Sequence, residues 1–180
     1  MEFDNDIFKI LFAWLISYAF LEPIIALINY LLSAKYGMKT IFEIYPQTSP
    51  FLVVSSEFTY MTIVFIKTLY VYKYILKKPT YYPRLNNWID YRDFIIIYII
   101  VQILLDVLWT VLVTNATSRI HFLDFLKKYS YELGPYSIFR PLIIGIILLM
   151  FTTIILNYVG DLEAVATLMF SLFTLIIASF

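Results

Sequence analysis

Long apolar runs dominate this chain, and the polar positions inside them recur at three- and four-residue intervals rather than alternating. That period is helical, and a helix that crosses a bilayer takes about 20 mostly apolar residues. Segments 7–32, 94–114, 138–158 and 162–180 meet that requirement clearly. Segment 51–75 is long enough but carries Glu57 and Lys67. The pattern predicts an all-α, polytopic membrane helix bundle, a single membrane domain over 1–180, with about five transmembrane spans. Four spans is the alternative, with 51–75 buried among other helices or lying at the interface.

The stretch 119–133 is amphipathic. Ile120, Phe122, Leu123, Leu126 and Leu133 alternate at helical spacing with Arg119, Asp124, Lys127, Lys128 and Glu132. It reads either as an interfacial helix lying in the membrane plane or as an extension of a span into the headgroup layer. The tight turn Val159-Gly160-Asp161 makes the last two spans an antiparallel hairpin. At the other end, Glu2, Asp4, Asn5 and Asp6 precede the first span, where acids cap a helix and favour its positive N-terminus. This acidic start lacks the positive region of a secretory signal, so the first span is expected to be retained.

Composition agrees with a lipid solvent. Hydrophobic residues make up 62% and charged residues 14% of the 180, against about 45–50% and about 25% in soluble domains. A core of this size could not hide that much apolar surface from water. Lys+Arg and Asp+Glu are both 13, so no global basic field invites nucleic acid. Cysteine is absent, which removes thiolate chemistry and Cys-type metal sites. One histidine, His121, cannot build a multi-His centre, and the 4 glycines form no phosphate-binding loop. No cofactor and no metal are expected.

Charges inside spans cost about 2.5–3.5 kcal/mol each on insertion scales and call for an explanation. In the first span Tyr18, Glu22, Ala26, Asn29 and Ser33 form one stripe, with Pro23 expected to kink the helix beside Glu22. In the third, Tyr98, Gln102, Asp106, Thr110 and Thr114 are four apart. Lys67 in the second is the expected counter-ion. At 1.5 Å per residue it sits about 13 Å from the basic-loop side, against about 18 Å for Asp106 and about 22 Å for Glu22. Depth therefore favours a Lys67–Asp106 pair. Glu22, Lys67, Asp106, Asn29 and Gln102 form the candidate intramembrane polar cluster, read either as interhelical glue that fixes register or as an ion or proton path.

The connection between the second and third spans is the most basic, with Lys73, Lys77, Lys78 and Arg84 forming a membrane-surface cluster. Tyr70, Tyr72, Tyr74, Tyr81, Tyr82, Trp88 and Tyr91 gather at the same boundary, as an aromatic belt does. Orientation is nearly balanced. With five spans, Lys9, Lys77, Lys78, Arg84 and Arg92 share one side, while Lys35, Lys39, Arg119, Lys127, Lys128 and Arg140 share the other. The cluster at Lys73, Lys77 and Lys78 tips it inward, which would turn the Asn115-Ala-Thr117 sequon outward.

The segment from Phe122 to Gly134, Phe-Leu-Asp-Phe-Leu-Lys-Lys-Tyr-Ser-Tyr-Glu-Leu-Gly, follows the span bearing Asp106 and precedes another long span. Together with a composition rich in residues of AT-rich codons, it resembles small polytopic membrane proteins of nucleocytoplasmic large DNA viruses. The resemblance covers about the middle third of the chain. It implies a virion inner membrane or host endomembrane location and carries over no catalytic residue. The expected function is therefore a non-enzymatic integral membrane protein with a structural or assembly-scaffold role. Its partners would be the lipid bilayer, other membrane or capsid proteins and further copies of the chain, not nucleic acid. The alternative is a small ion or proton channel or transporter using Glu22, Lys67 and Asp106.

Overall fold

The structure, a computed structural model, describes residues 6–36, 50–83, 87–115, 127, 136–158, 165–166 and 169–170. Among these residues there is no strand. In chain order they form α1 (Ile7–Tyr36), α2 (Pro50–Tyr70), α3 (Trp88–Asn115) and α4 (Tyr136–Tyr158). Three stretches are long and apolar enough to cross a membrane: Ile7–Ile25, Trp88–Asn115 and Phe139–Asn157. The 28 residues of α3 reach about 42 Å at 1.5 Å per residue, more than a bilayer's hydrocarbon core.

Three, then, of the five expected spans are found as such among the described residues. Segment 51–75 is helical from Pro50 onward and runs through α2 into a π turn, Val71–Ile75. The side chains of residues 50–54 lie outside the description. Of 162–180 only Val165, Ala166, Met169 and Phe170 are described, all helical, and of the expected interfacial helix only Lys127 is. The rest of both segments, and the sequon apart from Asn115, lie outside the described residues.

Local chemistry sets the helix ends. Asp6 Oδ1 accepts from the amides of Phe8 (3.1 Å) and Lys9 (3.3 Å), a cap that stabilises α1 by about 1 kcal/mol. The helix continues through Pro23 to Tyr36, although Pro23 supplies no amide hydrogen to the Ala19 carbonyl. Helix α3 begins six residues earlier than the apolar run because Asn87 caps it. The Asn87 carbonyl accepts from the Tyr91 amide (3.1 Å), and its side chain bonds Asp90 Oδ2 (2.6 Å). At the end of α2 the backbone widens, with the Leu76 amide donating to the Val71 carbonyl at 3.1 Å. Lys77 then takes φ 54°, the left-handed conformation that ends many helices and that normally falls to glycine.

The described chain divides into two compact units, Met1–Thr62 with Leu148–Phe180, and Ile63–Ile147. In the first, Ala13, Ile16, Ile155 and Ala166 form a buried cluster, with Phe12, Leu156, Val165 and Met169 packed against it. Ile155 and Ala166 share this cluster; the turn expected at 159–161 lies outside the described residues. Trp14 Nε1 donates to Thr62 Oγ1 (3.2 Å), and Tyr18 packs on Phe58 with ring centroids 4.8 Å apart. In the second unit, Phe94 takes the edges of Tyr72 (5.1 Å) and Tyr82 (5.0 Å), and Phe65 abuts Tyr82 (6.2 Å). The buried residues of α2 and its π turn, Met61, Val64, Phe65, Thr68, Leu69 and Tyr72, follow a helical stripe.

Candidate functional site

The middle of helix α3 carries its polar groups on the buried side and apolar residues on the exposed side. Tyr98, Gln102 and Asp106 are buried, while Ile96, Ile100, Ile103, Leu104, Val107, Leu108, Val111 and Leu112 are exposed. Spacing by four stacks the three polar groups on one face. Gln102 Nε2 donates to both Asp106 oxygens, at 3.2 and 3.1 Å. Gln102 Oε1 and the Tyr98 hydroxyl are buried without a hydrogen-bond partner among the described residues. Gly145 of α4 faces the Tyr98 ring so closely that a Cβ there would lie 2.6 Å from Tyr98 Cζ. Nothing in the α4 sequence pattern marks that fit, since one glycine in an apolar helix looks like any other small residue.

The expected Lys67–Asp106 pair is not formed. Lys67 is exposed, while Asp106 is buried. The reason is azimuth rather than depth. The buried stripe of α2 runs through Val64, Phe65, Thr68 and Leu69, and Lys67 points away from it on the face of Ile63, Ile66 and Tyr70. Depth alone could not show this, because Ile63 and Ile66 are as apolar as the buried positions and a lipid-facing stripe reads like a core stripe. Glu22 is buried in the first unit, 8% exposed. Asn29 lies in helical backbone, with its side chain outside the description. Within the candidate cluster the structure joins Gln102 to Asp106.

Elsewhere in the helices, hydroxyls are engaged close to home. Ser17 Oγ donates to the Ala13 carbonyl (2.8 Å), Thr68 to Val64 (2.9 Å) and Thr153 to Leu149 (2.7 Å). The Thr152 hydroxyl lies 2.8 Å from the Leu148 carbonyl and 3.1 Å from Ser17 Oγ, tying α4 to α1. Such bonds remove the cost of a bare polar group in an apolar medium.

The basic cluster separates into different roles. Lys78 Nζ lies 2.5 Å from Asp90 Oδ1 and 3.7 Å from Asp93 Oδ2, at the first turns of α3. The hydrogen bond from Lys78 to the Asp90 carboxylate raises the Lys78 pKa above the ordinary lysine value. Lys73 Nζ bonds the Pro79 carbonyl and sits over the Tyr81 ring, 5.1 Å from its centroid. Tyr81 in turn shares a 2.7 Å hydroxyl bond with Tyr74. Lys77 is exposed, and Arg84 lies outside the described residues. The clamp from Lys78 to Asp90 was not expected from sequence. Its signal is Asn87-x-x-Asp90 just after Pro83, the spacing of a capping residue and its third-position acid.

Among the described residues no group of three or more His, Cys, Asp or Glu could hold a metal ion. Compared with protein-family models, with curated proteins and with solved structures, the chain matches none.

Proposed function

We propose that this chain is an integral membrane protein with a structural or assembly-scaffold role, exerted through helix packing rather than catalysis. The observation that carries the membrane reading is the inversion of α3, which buries Tyr98, Gln102 and Asp106 and turns a continuous Ile, Leu and Val face outward. In water that arrangement would be upside down; in lipid it is the expected one. The structural reading draws on how the buried polar groups are used. Ser17 with Thr152 and Trp14 with Thr62 tie neighbouring helices in register, and Gln102 with Asp106 engages its polar groups within α3. A virion inner membrane or host endomembrane is the location that the sequence resemblance suggests, with capsid or other membrane proteins as partners.

The alternative, an ion or proton channel or transporter, retains buried Asp106 beside the unpartnered Gln102 Oε1 and Tyr98 hydroxyl. It loses Lys67, which faces away from them. Purified protein in proteoliposomes under a pH or potassium gradient separates the two readings. The structural reading expects flux no greater than in empty vesicles, and an Asp106→Asn protein that still incorporates with its partners. Flux above background that Asp106→Asn abolishes would establish the transport reading instead.

A further inference from the structure

Lys67 stands on an exposed apolar face of α2. Around it Ile63, Ile66 and Tyr70 are 45%, 41% and 56% exposed, and Lys67 is exposed with them. At 3.6 residues per turn the four fall within about 100° of one another, so they form one narrow strip. On the other side of the helix Val64, Phe65, Thr68 and Leu69 are buried. Lys67 has no hydrogen bond or ion pair among the described residues. The strip is therefore apolar with a single bare cation in it.

Depth makes that cation costly in lipid. Lys67 lies about 13 Å from the basic boundary, close to the middle of a hydrocarbon core about 30 Å thick. A lysine near a helix end escapes by stretching its stem to the headgroups. Helical side chains lean toward the N-terminus, which for Lys67 is away from the nearer boundary. Charges held at such depth pair with one another, so this face calls for a carboxylate. The described chain does not supply one. The acids of α1–α4 are Glu22, Glu57, Asp90, Asp93 and Asp106. Glu22 and Asp106 are buried, and Asp90 and Asp93 are engaged by Lys78 and Arg92. Glu57 precedes Lys67 in α2 by about 15 Å along the axis. A second copy inserted in the same sense carries these acids at the same depths, so among them it offers Lys67 no exposed carboxylate at its own level. We propose that the strip seats a transmembrane helix of another membrane protein, one that carries an aspartate or glutamate at mid-bilayer depth facing Lys67. Ile63 and Ile66 supply the apolar contact, and Tyr70 bounds the strip on the headgroup side. The inference rests on the membrane reading above, with α2 in the bilayer, and gives the expected membrane-protein partner a chemistry.

The test measures energy transfer in proteoliposomes from the full-length protein, dye-labelled at its N-terminus, to acceptor-labelled polyleucine transmembrane peptides. The peptides carry aspartate or leucine at the central position. Wild type should bind the aspartate peptide about three- to twentyfold more tightly than the leucine peptide, the span measured for polar contacts between membrane helices. Lys67→Met should abolish that preference, and Lys67→Arg should preserve it. Ile63→Trp with Ile66→Trp, which fills the strip, should weaken binding, whereas Ile103→Trp with Leu104→Trp on the exposed face of α3 should not. Equal binding of the two peptides by wild type would mean that lipid covers the strip and would overturn the proposal. A preference that persists in Lys67→Met, or an equal loss in the α3 variant, would place the binding elsewhere and overturn it too. Transfer between differently labelled copies that Lys67→Met removes would make a second copy the occupant, with the same consequence. Alkali extraction of the same protein from membranes keeps the two readings apart. A chain released by alkali fails the membrane reading, whereas a resistant chain that binds both peptides alike fails only the docking face.

Discussion

Replacing Gly145 with alanine should reveal how tightly α4 is fitted against Tyr98. Two effects oppose each other. Alanine in a helix interior is favoured over glycine by about 0.8–1.0 kcal/mol. Against that, the new methyl would meet the Tyr98 ring at 2.6 Å from Cζ and 2.7 Å from Cε1, well inside contact distance. Tyr98 is fully buried, so its ring cannot swing into open space. Overpacking of this kind costs about 1–3 kcal/mol, and Gly145→Ala should therefore be neutral to destabilising by about 2 kcal/mol. The decisive comparison is the same substitution in a Tyr98→Leu background. Leucine lacks every ring atom that the methyl would strike, so the strain vanishes and only the propensity gain remains. Gly145→Ala should then stabilise, and the double-mutant cycle should show a coupling of about 1–3 kcal/mol. Equilibrium unfolding of the purified protein in mixed micelles, titrated with a denaturing detergent, measures all four corners. Coupling within about 0.3 kcal/mol of zero, the scatter expected of independent sites, would refute the close approach of α4 to Tyr98.

Cysteine-accessibility mapping on the naturally cysteine-free chain should place Lys39→Cys and Lys78→Cys on opposite faces, with Lys128→Cys and Asp161→Cys continuing the alternation; labelling of Lys39→Cys and Lys78→Cys from one face would show that α2 does not cross. Asp90→Asn should lower the thermal midpoint at neutral pH by releasing Lys78. Because the Lys78 pKa is raised in the folded state, the pair's contribution is fully present below the unfolded lysine pKa and disappears as pH rises through the folded one. On the alkaline side the gap between wild type and Asp90→Asn should therefore close only in strong alkali, and a gap that closes between pH 5 and 8 would assign it to another group. Ser17→Ala with Thr152→Ala should couple by about 0.6 kcal/mol, the average for polar contacts between membrane helices, in a double-mutant cycle of unfolding free energies. Removing residues 162–180 should expose the Ile155 side of α4 and cause aggregation, and wild-type detergent behaviour after the deletion would argue against the hairpin.

Much of the helical layout is legible because lipid demands it. Segments 7–32, 94–114 and 138–158 lie almost wholly within α1, α3 and α4, and 51–75 coincides with α2 plus its π turn. The stripe from Tyr98 to Asp106 is legible for a related reason, since polar groups four apart in an apolar helix have only an interior to face. Azimuth on α2 is not legible, because both faces are apolar and Lys67 belongs to the outer one. The roles of Lys73 and Lys78 were hidden as well. Sequence shows a run of positive charge, but only the left-handed turn at Lys77 decides which ammonium folds back onto Asp90. Gly145 left no trace in the pattern, because its partner Tyr98 is distant in sequence.

The clamp between Lys78 and Asp90 joins residues only twelve positions apart, and that short separation bears on the order in which the helices assemble. A loop of this length closes in about 10–100 ns, whereas a growing chain lengthens by only about 5–20 residues per second. Once Asp90 clears the ribosome, the clamp has time to form many times over before the last residues of α3 emerge. The end of α2 and the start of α3 are thus fastened while α3 is still emerging. The two helices leave the ribosome already joined at the turn between them.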